Sequence, residues 1–260
     1  IVLSIFVWSS GFHINNLVIN SFFGENLSIS MISTFSLVFT IFWIVGMTNA
    51  INWLDGLDGI AAGVVSISTL GMICTSIGHQ NYEYLPVLTS FLGGCLAFLI
   101  YNFHPSKIVM GDGGSNLLGF VSATMSIVLF EPGLNISFDS NLDFYFLESI
   151  FFFAIPIFDM LIVIFLRIKS KKSIFFPDRN HFHHRLFDLG FSQRDVSLLI
   201  FVLSQWFVSL ALLISFNSLN RYTSIILLSS TALLISVFCL KCDFSKIMHL
   251  RLSPKSGKFN

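Results

Sequence analysis

The chain has 260 residues, 54% of them hydrophobic and only 11% charged, with a mean hydropathy of +0.81. One soluble core does not need that much apolar material, so the composition predicts an all-α, polytopic integral membrane helix bundle. The 14 Lys and Arg balance the 14 Asp and Glu, and zero net charge argues against nucleic acid as a partner.

A membrane helix needs roughly 20 apolar residues to cross about 30 Å of hydrocarbon. Runs of that kind lie near 31–50, 59–78, 85–101, 116–130, 148–168, 197–216 and 222–240, the fourth being short and expected to extend past Glu131 or to sit tilted. Residues 1–9 read as the tail of another span, giving about seven to eight. The chain opens on Ile1 rather than Met, with no Lys or Arg ahead of the first apolar run, and reads as an N-terminally truncated fragment rather than a signal peptide. Without internal repeats or linkers, residues 1–260 read as one transmembrane domain ending in a basic tail at 241–260.

Basic residues set the expected orientation. Lys107, the segment 167–194 and the tail 241–258 hold every Lys and Arg except Arg221, and all three fall on one side if each span crosses once. By the positive-inside rule that side is the cytoplasm. Cys74 and Cys95 sit inside apolar runs, and Cys239 with Cys242 lacks the second pair a zinc site needs, so the cysteines read as packing, with palmitoylation near the membrane edge as the alternative.

Four polar constellations interrupt the apolar background. In NAINWLDGLDG, residues 49–59, Asn49, Asn52, Asp55 and Asp58 recur every third residue. On a regular helix such neighbours are offset by about 60°, so a break at Gly56 and Gly59 is needed to converge all four; a helix terminus with two Asp-Gly turns is the plainer alternative. MGDGGSNLLGF, residues 110–120, reads as the opening of a membrane helix whose free N–H groups suit a phosphate, where Gly111 and its neighbours allow close backbone approach and Asp112 is a hard oxygen donor for a divalent cation, with an ordinary loop as the alternative. FFPDRNHFHHRL, residues 175–186, gathers His181, His183, His184 and Arg185, a donor set suited to phosphate oxygens, with zinc and a solvated basic loop as alternatives. Asp159, in AIPIFDMLIVIF, is an intramembrane carboxylate costing roughly 2.5–3.5 kcal/mol on insertion scales, so it is expected to face a cavity or a partner, and Pro156 is expected to kink its helix.

In their order, NAINWLDGLDGIAAG, YNFHPSKIVMGDGGSNLLGF and AIPIFDM followed by PDRNHFHHRLFDLGFSQRD resemble the polyprenyl-phosphate N-acetylhexosamine-1-phosphate transferase family, within glycosyltransferase family 4. The likeness is to the bacterial undecaprenyl-phosphate N-acetylglucosaminyl-1-phosphate transferases of O-antigen and teichoic-acid synthesis, and runs from about Gly11 to Val196. It implies transfer of a sugar 1-phosphate from a UDP-sugar to a polyprenyl phosphate, with release of UMP, at the cytoplasmic face of a bacterial inner membrane. It implies Mg2+, or Mn2+ in its place, as cofactor.

The resemblance also implies residue roles. Asp112 and Asn52 match metal-proximal positions, and Asp55, Asp58, His181, His183, His184 and Arg185 match catalytic ones. Asn49, Asn102, Gly111, Ser115 and Asp159 are expected among the substrate-binding residues, Asn102 at the uracil. A homodimer is compatible with this reading. The family's adjacent aspartate pair on an earlier loop has no counterpart in these residues, and Val109 stands where relatives often carry Phe. An ion-coupled transporter and a non-catalytic assembly partner are the rival functions.

Overall fold

The computed structural model describes residues 1–14, 19, 28–129, 142–174 and 181–215. The expected span 222–240, the tail 241–260 and Arg179 lie outside the described residues. Those described are helical with no strand: α1 (Val2–Ser9), α2 (Ile29–Leu54), α3 (Ile60–Gly78), α4 (Leu85–Asn102), α5 (Gly111–Leu129), α6 (Leu142–Phe152), α7 (Ala154–Lys169), α8 (Phe182–Asp188) and α9 (Gln193–Ser215).

By length and composition, α2, α3, α4 and residues 193–213 of α9 are able to cross a membrane. The run 116–130 lies within α5, whose first turns are the polar GDGGSN stretch. The run 148–168 is interrupted rather than continuous. Pro156 has no N–H, so the Phe152 carbonyl four residues back loses its helical donor. Ser68 Oγ donates to that oxygen instead, at 2.6 Å. The backbone turns at Phe153, which separates α6 from α7.

Ser28 starts α2 by accepting from the Met31 amide, and the 26 residues that follow span about 39 Å at the helical rise. At the same end, α1 leads into a non-helical stretch docked on α2. The Ile14 amide donates to Thr40 Oγ1 and its carbonyl accepts from Ser36 Oγ, so backbone in an apolar setting is paired by hydroxyls.

Helix α3 is central. In its most apolar stretch 78% of residues are buried, against 17% for α2 and for α4, whose remaining apolar faces suit lipid. Its buried Ala61, Ala62, Gly63, Ser66 and Ser68 are small enough for helices to pack closely without water to drive them together. Helix α5 lies along α2, and a Cβ at Gly119 would come within 2.6 Å of Thr48 Cα, so only glycine permits this crossing. Trp43 Nε1 reinforces it by donating to Ser126 Oγ at 3.0 Å. The register of that crossing sets the end of α2 against the start of α5.

A main core includes Ile44, Met47, Ile51, Val65, Phe152 and Val208. A second, smaller cluster of Leu54, Ile60, Val64, Leu186, Val196 and Ile200 lies beneath the α2–α3 turn. This cluster fastens α8 and the start of α9 to the turn that carries the acidic residues.

Candidate active site at one end of the bundle

Helix α2 ends at Leu54, and residues 55–59 form a turn before α3 starts after Gly59, whose φ of +76° is the left-handed conformation that glycine tolerates. The four polar residues of this stretch therefore do not meet at one point. Asn49 Nδ2 donates back to the Val45 carbonyl of its own helix at 2.8 Å. Asn52 Nδ2 donates across to α5, to Ser115 Oγ at 2.8 Å and to Asp112 Oδ1 at 3.4 Å. Of the two sequence alternatives, the helix terminus with turns is the one observed.

The GDGGS stretch is the first turn of α5 rather than a loop. Gly111 opens that helix and its carbonyl accepts from Ser115 Oγ at 3.2 Å, while Ser115 is completely buried. Asp112 in the first turn complements the positive end of the helix dipole. Burial, and then the charge of Asp112, push the Asp55 carboxyl up to about 6. That mutual repulsion marks two carboxylates close enough to feel each other.

Asp58 faces another way. His104 Nδ1 lies 2.9 Å from its Oδ2, and the Ser106 amide donates to the same oxygen at 3.2 Å. Burial works to raise this carboxyl, but the hydrogen bonds from His104 and Ser106 outweigh it and hold the group below its ordinary value. Asn102 is engaged at both ends: Oδ1 accepts from the Gly59 amide at 3.0 Å and Nδ2 donates to the Ile108 carbonyl at 2.8 Å. With 4% exposure it ties the end of α4 to the acidic turn. Ser197 Oγ on α9 secures the turn from below by donating to the Asp58 carbonyl at 3.2 Å.

Asp159, Val163 and Arg167 recur every fourth residue on the buried face of α7. Both oxygens of Asp159 are taken by protein: Oδ2 pairs with His181 Nδ1 at 2.8 Å, and Oδ1 accepts from the Phe182 amide at 2.6 Å. It orients the histidine segment, so the intramembrane carboxylate faces a partner, one of its two expected settings. His181 also meets Trp53 edge-on, with centroids 6.1 Å apart, and the Arg167 guanidinium covers the Trp53 face at 4.8 Å. Arg167 donates to the Ile174 carbonyl as well, which closes the chain reversal after α7.

His183 is 1% exposed, stacks on His181 at 5.6 Å, and has no hydrogen-bond partner for either ring nitrogen. Burial and then the neighbouring His184 push it down to about 4, with Asp159 opposing. The triplet is thus no row of three cations. His183 is a neutral, buried imidazole, while Arg185 is exposed.

Among the described residues no three His, Cys, Asp or Glu side chains converge as a metal cage. Asp55 and Asp112, with the Asn52 amide beside them, are instead two hard anionic donors and a carbonyl oxygen. Such a set suits a cation that completes its shell with water and phosphate.

Sequence reasoning passed over His104, Ser106, Trp53 and Arg167. His104 stands within the quoted YNFHPSK stretch, and Arg167 follows Asp159 by two helical steps on one face. Those were the available signals.

The Glycosyl transferase family 4 pattern matches residues 1–130, half of the chain, and the chain belongs to that family. A Bacillus subtilis protein named "Probable undecaprenyl-phosphate N-acetylglucosaminyl 1-phosphate transferase" is 39% identical over 166 residues, covering 63% of this chain and 44% of the relative. The decaprenyl-phosphate N-acetylglucosaminephosphotransferase of Mycobacterium leprae is 38% identical over 182 residues, with 65% and 46% covered. The phospho-N-acetylmuramoyl-pentapeptide-transferase of Enterococcus hirae is 45% identical over 111 residues, with 42% and 33% covered. The matches span under half the length of these relatives.

Proposed function

We propose that this chain carries the catalytic face of a membrane transferase that moves a sugar 1-phosphate, foremost N-acetylglucosamine 1-phosphate, from a UDP-sugar to a polyprenyl phosphate. The observation that carries the reading is the meeting of Asp55, Asp112 and Asn52 at the same turn on which the histidine segment is docked. An oxygen of the lipid phosphate attacks the phosphorus attached to the sugar, the bond from that phosphorus to the bridging oxygen breaks, and UMP leaves. A lipid-linked sugar pyrophosphate remains, the first intermediate of an envelope glycan.

Magnesium, or manganese in its place, fits the donors Asp112, Asp55 and Asn52, and when bound supplies charge neutralisation between two anionic phosphates. The residues of the chain do the rest. Asn52 holds Asp112 in position, Arg185 and the exposed part of His184 face the anionic substrates, and Asp58 with Asn102 hold the 102–108 segment against the turn. Lys107, Arg167, Lys169, Lys171 and Lys172 gather at this end of the bundle, which by the positive-inside rule supports a cytoplasmic site in a bacterial inner membrane.

The test is UMP release by the purified full chain from UDP-N-acetylglucosamine. The reading expects UMP only when polyprenyl phosphate and a divalent cation are both supplied. A transporter predicts substrate or ion uptake into vesicles with no UMP formed, and an assembly partner predicts neither.

A further inference from the structure

The acidic turn and the histidine segment are far apart in sequence, yet they meet at one glycine. A Cβ built on Gly56 would lie 2.5 Å from His183 Nε2 and 2.7 Å from its Cε1, far inside contact distance. Unlike Gly59, Gly56 does not have a left-handed backbone, so an alanine there is opposed by the imidazole and not by its own φ. Three residues earlier Trp53 touches His181, so two side-by-side histidines rest on the end of α2 and on the turn that follows it. His183 has nowhere to retreat: its exposure is 1%, and His184 lies on another side with ring centroids 4.4 Å apart.

We propose that Gly56 is a positioning residue, a seat whose missing side chain admits the His183 ring and so fixes the distance between the histidine segment and the Asp55–Asp112 pair. The consequence for catalysis rests on the transferase reading above, whereas the seat itself does not. Filling it with one methyl group displaces His183 from the turn while leaving every atom of Asn52, Asp55, Asp112 and the histidines in the chain. Gly56 thereby acts on chemistry through His183, without touching substrate.

The experiment pairs histidine labelling with kinetics. The full chain in detergent is treated with diethyl pyrocarbonate, and modification of each histidine is followed by mass spectrometry. In the wild type His183 is expected to be protected; in Gly56→Ala its modification rate is expected to rise about tenfold or more, because reactivity follows the accessible population. His104, paired with Asp58 in the same turn, is the control, and its rate is expected to stay unchanged. Unchanged protection of His183, or equal gains at His104 and His183, overturns the seat.

In the transferase assay Gly56→Ala is expected to lower kcat about tenfold with little change in the cation requirement, and to have no further effect in a His183→Ala background, since the two substitutions act through one contact. Additive losses overturn the coupling. If Gly56→Ala alone does not fold, Gly56→Ala/His183→Ala is expected to restore folding, and failure to do so also overturns the proposal. A wild type that protects His183 but forms no UMP would leave the seat standing and remove the transferase reading instead.

Discussion

Asp159 on α7 holds the first residues of the histidine segment with both oxygens, one on His181 Nδ1 at 2.8 Å and one on the Phe182 amide at 2.6 Å. A carboxylate that sequence marks only as an intramembrane acid is thus the anchor of α8. Asp159→Ala removes an almost fully buried acceptor from two donors, and is expected to destabilise the fold by about 1–3 kcal/mol. Asp159→Asn keeps one oxygen for the Phe182 amide and is expected to lose less. Thermal unfolding in detergent compares the two, and equal losses would contradict the anchoring role.

The Asp55–Asp112 pair predicts a pH dependence whose sign is fixed by the upward shift. The folded chain holds the Asp55 proton up to about 6, above the ordinary value of 3.8 in an unfolded chain. Between those values the folded state binds more protons, so without cation this group makes stability fall as pH rises from about 4 to 6, and the loss is complete above that window. A divalent cation at the pair is therefore expected to raise the melting temperature more at pH 7.5 than at pH 5. Equal shifts at both pH values would contradict a shared cation.

Asp112→Asn removes one donor and, with it, the charge that adds to burial in raising Asp55. Turnover is expected to fall about a hundredfold or more, as for loss of a group that stabilises developing charge. At the same time the pH at which Asp55 titrates is expected to move down from about 6, read by difference infrared spectroscopy of its carboxylate band. A variant with near-normal turnover would remove Asp112 from the site.

Asn102 predicts a different kind of loss. Asn102→Ala strands the Gly59 amide and the Ile108 carbonyl, at a cost of about 1–3 kcal/mol. Because the 102–108 segment also carries His104 against Asp58, KM for the nucleotide sugar is expected to rise more than kcat falls. The opposite split, a kcat effect alone, would place Asn102 nearer the reacting atoms than its contacts do.

The parts of this site that were legible in sequence are those encoded locally. Apolar runs gave the helices α2, α3, α4 and α9, Pro156 marked the break before α7, and the Asn52 and Asp112 motifs do face each other. What was hidden depends on pairings between distant segments. No spacing rule says that His104 will find Asp58, that Arg167 will cover Trp53, or that Gly56 lies under His183. For the same reason a motif of three histidines and an arginine reads as four cations, although burial keeps one ring neutral. For Asp159 sequence left a cavity and a partner equally open, because its partners come from residues 181 and 182, beyond the helix that carries it.

The fate of one phosphorus atom tests the transferase reading most directly. UDP-N-acetylglucosamine radiolabelled in its β-phosphate, the one bonded to the sugar, is incubated with the full chain, polyprenyl phosphate and magnesium, and lipid and aqueous phases are separated. Sugar 1-phosphate transfer predicts that the label enters the lipid with the sugar while unlabelled UMP appears in water, and that Asp112→Asn lowers both about a hundredfold or more. Label left in water as UDP while the sugar enters the lipid would contradict it, because that outcome means transfer of the sugar alone.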